Sequence, residues 1–245
     1  MCRRTRIRTT VLTWTKAAIL AAYGLCVRIR VVGSIGVPLK RGFIVAANHL
    51  NGADSFVIQL ALHTRVFFAT SARWFRNRFS RFFMRNVCDA IPVDSDDPLL
   101  SLAGMRDCMA TLRLGGVIGI YPEGRFHPPG PPSRIANGAA YLAVKTGAPI
   151  VPVYLRNFRL RRPIDDSKLS RECWTGFLTV ADNLFNVRIE VAVGDPILPD
   201  PSPPVGRVDL YRTLDRINGE LREEFEELAA SPSSGRPGTG VRDTY

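Results

Sequence analysis

A short apolar run that stops abruptly at chemistry-bearing residues is the feature that most narrows what this chain can become. Gly42-Phe-Ile-Val-Ala-Ala47 has no polar side chain. A strand made from it must be covered on both faces, as inside a helix-flanked sheet. It runs directly into Asn48-His49-Leu50-Asn51-Gly52-Ala53-Asp54, after which Ser55 to Leu62 reads as a helix. A histidine and a carboxylate therefore fall at the carboxyl end of a strand, where open α/β sheets place their sites. On one regular helix, residues with this spacing would point roughly 140° apart. They can face each other only if His49 lies in a turn supplied by Asn51 and Gly52 while Asp54 opens the helix, where the dipole favours a carboxylate.

Two readings fit that pair. In one, His49 is a general base and Asp54 holds its tautomer and orientation. In the other, His49 is structural and Asp54 is an ordinary helix cap. Asp54 is the only acidic residue among residues 1–88, a span with 15 Lys and Arg, and that isolation favours the first reading.

Further along, strand-like and helix-like segments alternate. Val27–Val32, Val66–Thr70, Ala90–Asp94, Val117–Tyr121, Pro149–Leu155 and Val187–Val193 read as strands, with Pro152 suggesting an edge or a bulge. Leu99–Leu114, Asn137–Thr146 and Val208–Ala230 read as helices, the second stopped by Gly147. Residues 156–175 read as a polar loop. The alternation predicts an α/β fold with one domain at 33–230. Residues 1–32 precede it as a basic and apolar N-terminal helix with a lead-in strand, and the Ser-, Pro- and Gly-rich residues 231–245 read as a disordered tail. A second strand end carries chemistry: Val117–Tyr121 leads into Pro122-Glu123-Gly124-Arg125-Phe126-His127, where Gly124 permits close approach and Arg125 offers a fork for phosphate or carboxylate.

The net charge of +11 is concentrated at one end, because residues 1–90 hold 15 basic and 2 acidic residues. Such an end calls for an anionic partner: a membrane surface, a phosphorylated substrate or nucleic acid. Val11–Val27 is apolar apart from Thr13, Thr15, Lys16 and Gly24 and has arginines on both flanks, at the lower length limit for a bilayer crossing. We read it as a helix lying in the headgroup region, with a single anchor, a cleaved signal or a helix buried on the domain as alternatives. Arg73–Arg85, read as one helix, puts Phe75, Phe79, Phe82 and Phe83 in one sector beside Arg78, Arg81 and Arg85, a membrane-surface pattern. No nucleic-acid motif accompanies it, so no nucleic-acid partner is expected. The five cysteines are scattered without paired spacing, which suits reduced thiols and no metal site.

Four blocks taken in order give the chain a resemblance to the lysophosphatidate and glycerophosphate acyltransferase superfamily: Asn48-His49…Asp54, Ala90-Ile-Pro-Val-Asp94, Tyr121-Pro-Glu-Gly-Arg125 and Val151-Pro-Val153. The resemblance implies a central mixed sheet flanked by helices. It implies acyl transfer from acyl-CoA or acyl carrier protein to the hydroxyl of a lysophospholipid, 1-acylglycerol-3-phosphate first, at the cytoplasmic face of a membrane. By the same resemblance His49 is the base and Asp54 its partner. Asn48, Glu123, Gly124, Arg125 and the second-block position line the substrate site, with Arg125 on the acceptor phosphate. No metal or bound cofactor is implied. In the second block the family's arginine is replaced by Ser95, which opens the alternatives of another lipid-alcohol acceptor or a non-catalytic lipid-binding member.

Overall fold

The computed structural model describes residues 16–37, 41–50, 52–93, 98–124, 130–156, 188–201 and 204–231. Residues 16–26 are helical (α1). They are followed by β1 (Arg28–Val32), β2 (Phe43–Ala47), α2 (Asp54–Leu62), β3 (Val66–Ser71), a 3-10 turn (Ala72–Phe75), α3 (Arg78–Asn86), β4 (Ala90–Val93), α4 (Pro98–Arg113), β5 (Val117–Ile120), α5 (Gly138–Thr146), β6 (Ile150–Arg156), β7 (Arg188–Val193) and α6 (Gly206–Ala230). The strands form a seven-stranded sheet in the order β1-β7-β6-β2-β5-β3-β4. Every pairing is parallel except β6 with β7, so the sheet is mixed as expected and β1 and β7 run against the other strands.

The apolar run is the middle strand. β2 lies between β6 and β5, and all of its residues are buried. Alternation divides it between two cores. Phe43, Val45 and Ala47 join Val151, Val153 and the α2 residues Phe56, Val57 and Ala61 on one face. Ile44 and Ala46 join Cys108 and Leu112 of α4, Leu142 of α5, and Ile217, Leu221 and Phe225 of α6 on the other. Strand ends on this sheet are thus held from both sides, which keeps the loops that follow them in place.

One expectation changes and two are narrowed. Pro152 is not on an edge, because β6 has neighbours on both sides. Its lack of an N–H falls where the β7 ladder ends: Gly194 N donates to Pro152 O at 2.9 Å, and no return bond is possible. The register moves from Val153↔Val193 to Ile150↔Ile197, one extra residue on the β7 side, which is a bulge. Arg73–Arg85 is not one helix. Asn77 is extended and caps α3 through a 2.9 Å bond from Phe79 N, so Phe75 turns into the core while Phe79, Phe82 and Phe83 stay exposed on α3. The described part of the N-terminal apolar run packs on the protein, with Tyr23 and Val27 buried, and no described helix is long and apolar enough to cross a membrane. Most of the expected 156–175 loop and of the 231–245 tail lies outside the described residues.

α1 is fastened by charge as well as by apolar contact. Lys16 is buried, donates to Gln59 Oε1 of α2 at 3.0 Å and pairs with Asp89. Asp89 also accepts from Arg65 Nε and Nη2, at 3.0 and 2.7 Å, from a left-handed backbone with φ of 50°. A buried carboxylate serving two cations holds that unfavourable backbone in place.

Candidate active site

The carboxyl ends of β2, β5 and β6 lie side by side, and the residues that follow two of them meet. β2 leads into Asn48, whose amide Nδ2 donates to Leu155 O at 3.1 Å while its Oδ1 accepts Leu155 N–H at 2.7 Å. Asn48 is 2% exposed, so its side chain clamps β2 to β6 rather than facing an open site. A substrate-contacting role for that side chain has no support in this geometry; it sets the position from which His49 leaves the sheet.

His49 Nδ1 lies 2.8 Å from Asp54 Oδ2. The same oxygen accepts Leu50 N–H at 2.6 Å. Asp54 is the first residue of α2 and fully buried, while the His49 side chain keeps 18% of its surface exposed. This is the arrangement the spacing required, with His49 in the turn and Asp54 opening the helix. Asp54 is not the helix cap: the N-cap is Ala53, with no side-chain cap bond, and the carboxylate reaches back into the turn. His63, another of the three histidines, closes α2 in the left-handed conformation.

Tyr121, the residue after β5, lies flat on His49, with ring centroids 3.8 Å apart and planes at 9°. Tyr121 O accepts Gly124 N–H at 3.0 Å, closing a turn that has Pro122 at its second position. Gly124 has φ of 69°, and among the described residues nothing lies within 4 Å of where a Cβ would sit, so the backbone conformation there calls for glycine. The ring stack thereby carries the Pro-Glu-Gly turn to the side of His49. Glu123 in that turn is 9% exposed. Ser95 and Arg125 lie outside the described residues, as does Asn51.

The electrostatics centre on Asp54. Burial, and then the Asp54 charge, raises the hydroxyls of both Tyr121 and Tyr23 above the ordinary tyrosine range, so both stay protonated. With Nδ1 bonded to Asp54, the imidazole lone pair is on Nε2. The arrangement suits proton abstraction by Nε2 with Asp54 compensating the positive charge that forms. Among the described residues no group of His, Cys, Asp and Glu could hold a metal ion. Tyr121 was not legible as a site residue, because nothing in its spacing links it to His49. Lys16 gave a weak signal, as a lone cation interrupting an apolar helix.

A family model described as Acyltransferase matches residues 28–156. A 1-acyl-sn-glycerol-3-phosphate acyltransferase of Borreliella burgdorferi is 27% identical over 147 residues, covering 59% of this chain. The match spans 58% of the length of that relative. The crystal structure of a 1-acyl-sn-glycerophosphate (LPA) acyltransferase from Thermotoga maritima shares the fold, with a TM-score of 0.59 at 20% identity over 96% of this chain and 86% of that one.

Proposed function

We propose, from the premise that this chain belongs to the Acyltransferase family, that it transfers a fatty acyl group from a thioester to the hydroxyl of a lysophospholipid. The observation that carries this is the His49–Asp54 pair at 2.8 Å, buried on the carboxylate side and open on the imidazole side. His49 Nε2 takes the acceptor hydroxyl proton as that oxygen bonds to the thioester carbonyl carbon. The carbon–sulfur bond then breaks, and the proton passes from the imidazolium to the leaving thiolate. Asp54 lowers the cost of the transient imidazolium. The donor is acyl-CoA or acyl carrier protein, the acceptor 1-acylglycerol-3-phosphate, and no cofactor takes part. Glu123, Gly124 and Arg125 flank the acceptor, with Arg125 on its phosphate.

The work is done at the cytoplasmic face of a membrane. Supporting this, α1 and α3 lie on the same side of the sheet, where Leu25 is 89% and Phe79 77% exposed. Arg78, Arg81 and Arg85 of α3 are exposed beside those phenylalanines. The acidic run Glu223, Glu224, Glu226 and Glu227 lies on α6, on the opposite side. Ser95 in place of an arginine favours a second reading within the same chemistry, an acceptor with a larger head group or a different lipid alcohol.

The test is thiol release from long-chain acyl-CoA in the presence of liposomes carrying a panel of lysolipid acceptors, with His49→Ala beside wild type. Acceptor-dependent release that disappears in the variant is expected. If neither acyl-CoA nor acyl carrier protein supports release with any acceptor, the proposal fails and a non-catalytic lipid-binding role replaces it.

A further inference from the structure

The geometry points to Tyr121 as a positioning residue that fixes the plane of His49, an inference that rests on His49 being the base. Asp54 holds one edge of the imidazole, at Nδ1. That bond does not itself oppose a rocking of the ring about the contact. A ring lying 3.8 Å above it at 9° removes the rocking, because tilting the imidazole drives it into the tyrosine face. Tyr121 is itself backed by Phe68, with centroids 5.5 Å apart and planes at 12°. Phe68 is 2% exposed and lies over Gly119, where a Cβ would come within 2.4 Å of its ring carbons. The three rings therefore form one stack seated on β5, with its last member the proposed base. The tyrosine face also suits the imidazolium that forms during proton transfer, since the negative face of an aromatic ring attracts a cation. The Tyr121 hydroxyl has no hydrogen-bond partner among the described residues, so the ring and not the hydroxyl carries the role.

The test compares wild type with Tyr121→Phe and Tyr121→Met in the full chain. It reads the downfield ring N–H proton resonance of His49, identified by its loss in His49→Ala, together with kcat, KM and thermal midpoint. Tyr121→Phe should keep the resonance and kcat. Tyr121→Met should lose or broaden the resonance and lower kcat by about tenfold or more with KM near wild type, as small misplacements of a reacting group do. The inference is overturned if Met keeps both signals, if Phe falls as far as Met, if kcat falls while the resonance is unchanged, or if wild type lacks the resonance. Should Tyr121→Met not fold, Phe68→Leu removes the ring beneath and must broaden the same resonance; a sharp signal there also overturns it. The resonance needs no turnover, so absence of acyl transfer defeats the proposed function without deciding this point.

Discussion

Asp54 Oδ2 holds His49 Nδ1 at 2.8 Å and the backbone N–H of Leu50 at 2.6 Å, so one oxygen fixes both the imidazole and the turn that carries it. Asp54→Asn separates the hydrogen bonding from the charge. The amide oxygen in the place of Oδ2 can still accept both N–H groups, but it carries no negative charge to offset the imidazolium that forms when Nε2 takes a proton. We expect kcat to fall by about three orders of magnitude with the fold retained. Steady-state kinetics and far-ultraviolet circular dichroism on the same preparation check it, and an active Asn variant would remove Asp54 from the mechanism.

Asn48→Ala leaves a buried N–H and a buried C=O of Leu155 without the amide that now serves them. The expected loss is about 2–4 kcal/mol of unfolding free energy. Urea titration measures it, and a loss below about 1 kcal/mol would mean that β2 and β6 do not depend on the clamp.

The Lys16–Asp89 contact makes opposite predictions for its two ends. Asp89→Ala strands a buried ammonium and should cost about 3–5 kcal/mol, with faster amide exchange in residues 16–26. Lys16→Met leaves Asp89 still paired with Arg65 and fills the site with apolar atoms, so the change should stay within about 1 kcal/mol. Hydrogen exchange read by mass spectrometry distinguishes a fastening at Asp89 from general loosening.

On α3, charge and apolar variants should part by salt. Arg78→Glu with Arg85→Glu should weaken binding to anionic vesicles at least about tenfold in low salt, given about 1 kcal/mol per basic residue at such a surface. The loss should shrink as salt screens the charges. Phe79→Ser with Phe83→Ser should weaken binding at every salt concentration. Vesicle co-sedimentation is sufficient, and unchanged binding in both variants would exclude α3 from the membrane contact.

Alkaline pH should destabilise the protein. Burial pushes the Cys88 and Cys108 thiols up to about 12 and raises the Tyr23 and Tyr121 hydroxyls as well. Each raised acid keeps its proton in the folded state while the unfolded chain ionises. Its stabilisation is therefore full below the unfolded value and is lost as pH rises from about 9 toward the folded value. Denaturant midpoints should fall between pH 8.5 and pH 11 (roughly the window in which unfolded thiols and phenols titrate), and Cys88→Ala with Cys108→Ala should flatten the early part of the decline. A flat midpoint across that window would contradict the burial of these groups.

The local parts of the site were legible because local chemistry determines them. The apolar run predicted β2, the His49–Asp54 spacing predicted a turn followed by a helix start, and Gly147, with φ of 70°, stops α5 as read. What depends on strand order was not legible. The Asn48 clamp could not be read because its partner is Leu155, 107 residues away, and no local pattern announces that neighbour. The His49–Tyr121 stack exists only because β2 and β5 are adjacent. Pro152 left an edge and a bulge open, and only the strand order shows that it marks a bulge inside the sheet. At Asn77, capping chemistry outweighed a helical pattern that the phenylalanines continued across it.

The central position of β2 also dictates when His49 can be made ready. Its flanking strands come from residues 117–120 and 150–156, so His49 has left the ribosome long before either neighbour exists. Two of the contacts that position that histidine close across 72 and 107 residues, distances that bring slow, late contacts in folding. Maturation of the proposed base and completion of the sheet therefore coincide, and a truncated or half-folded chain carries its histidine without the means to aim it.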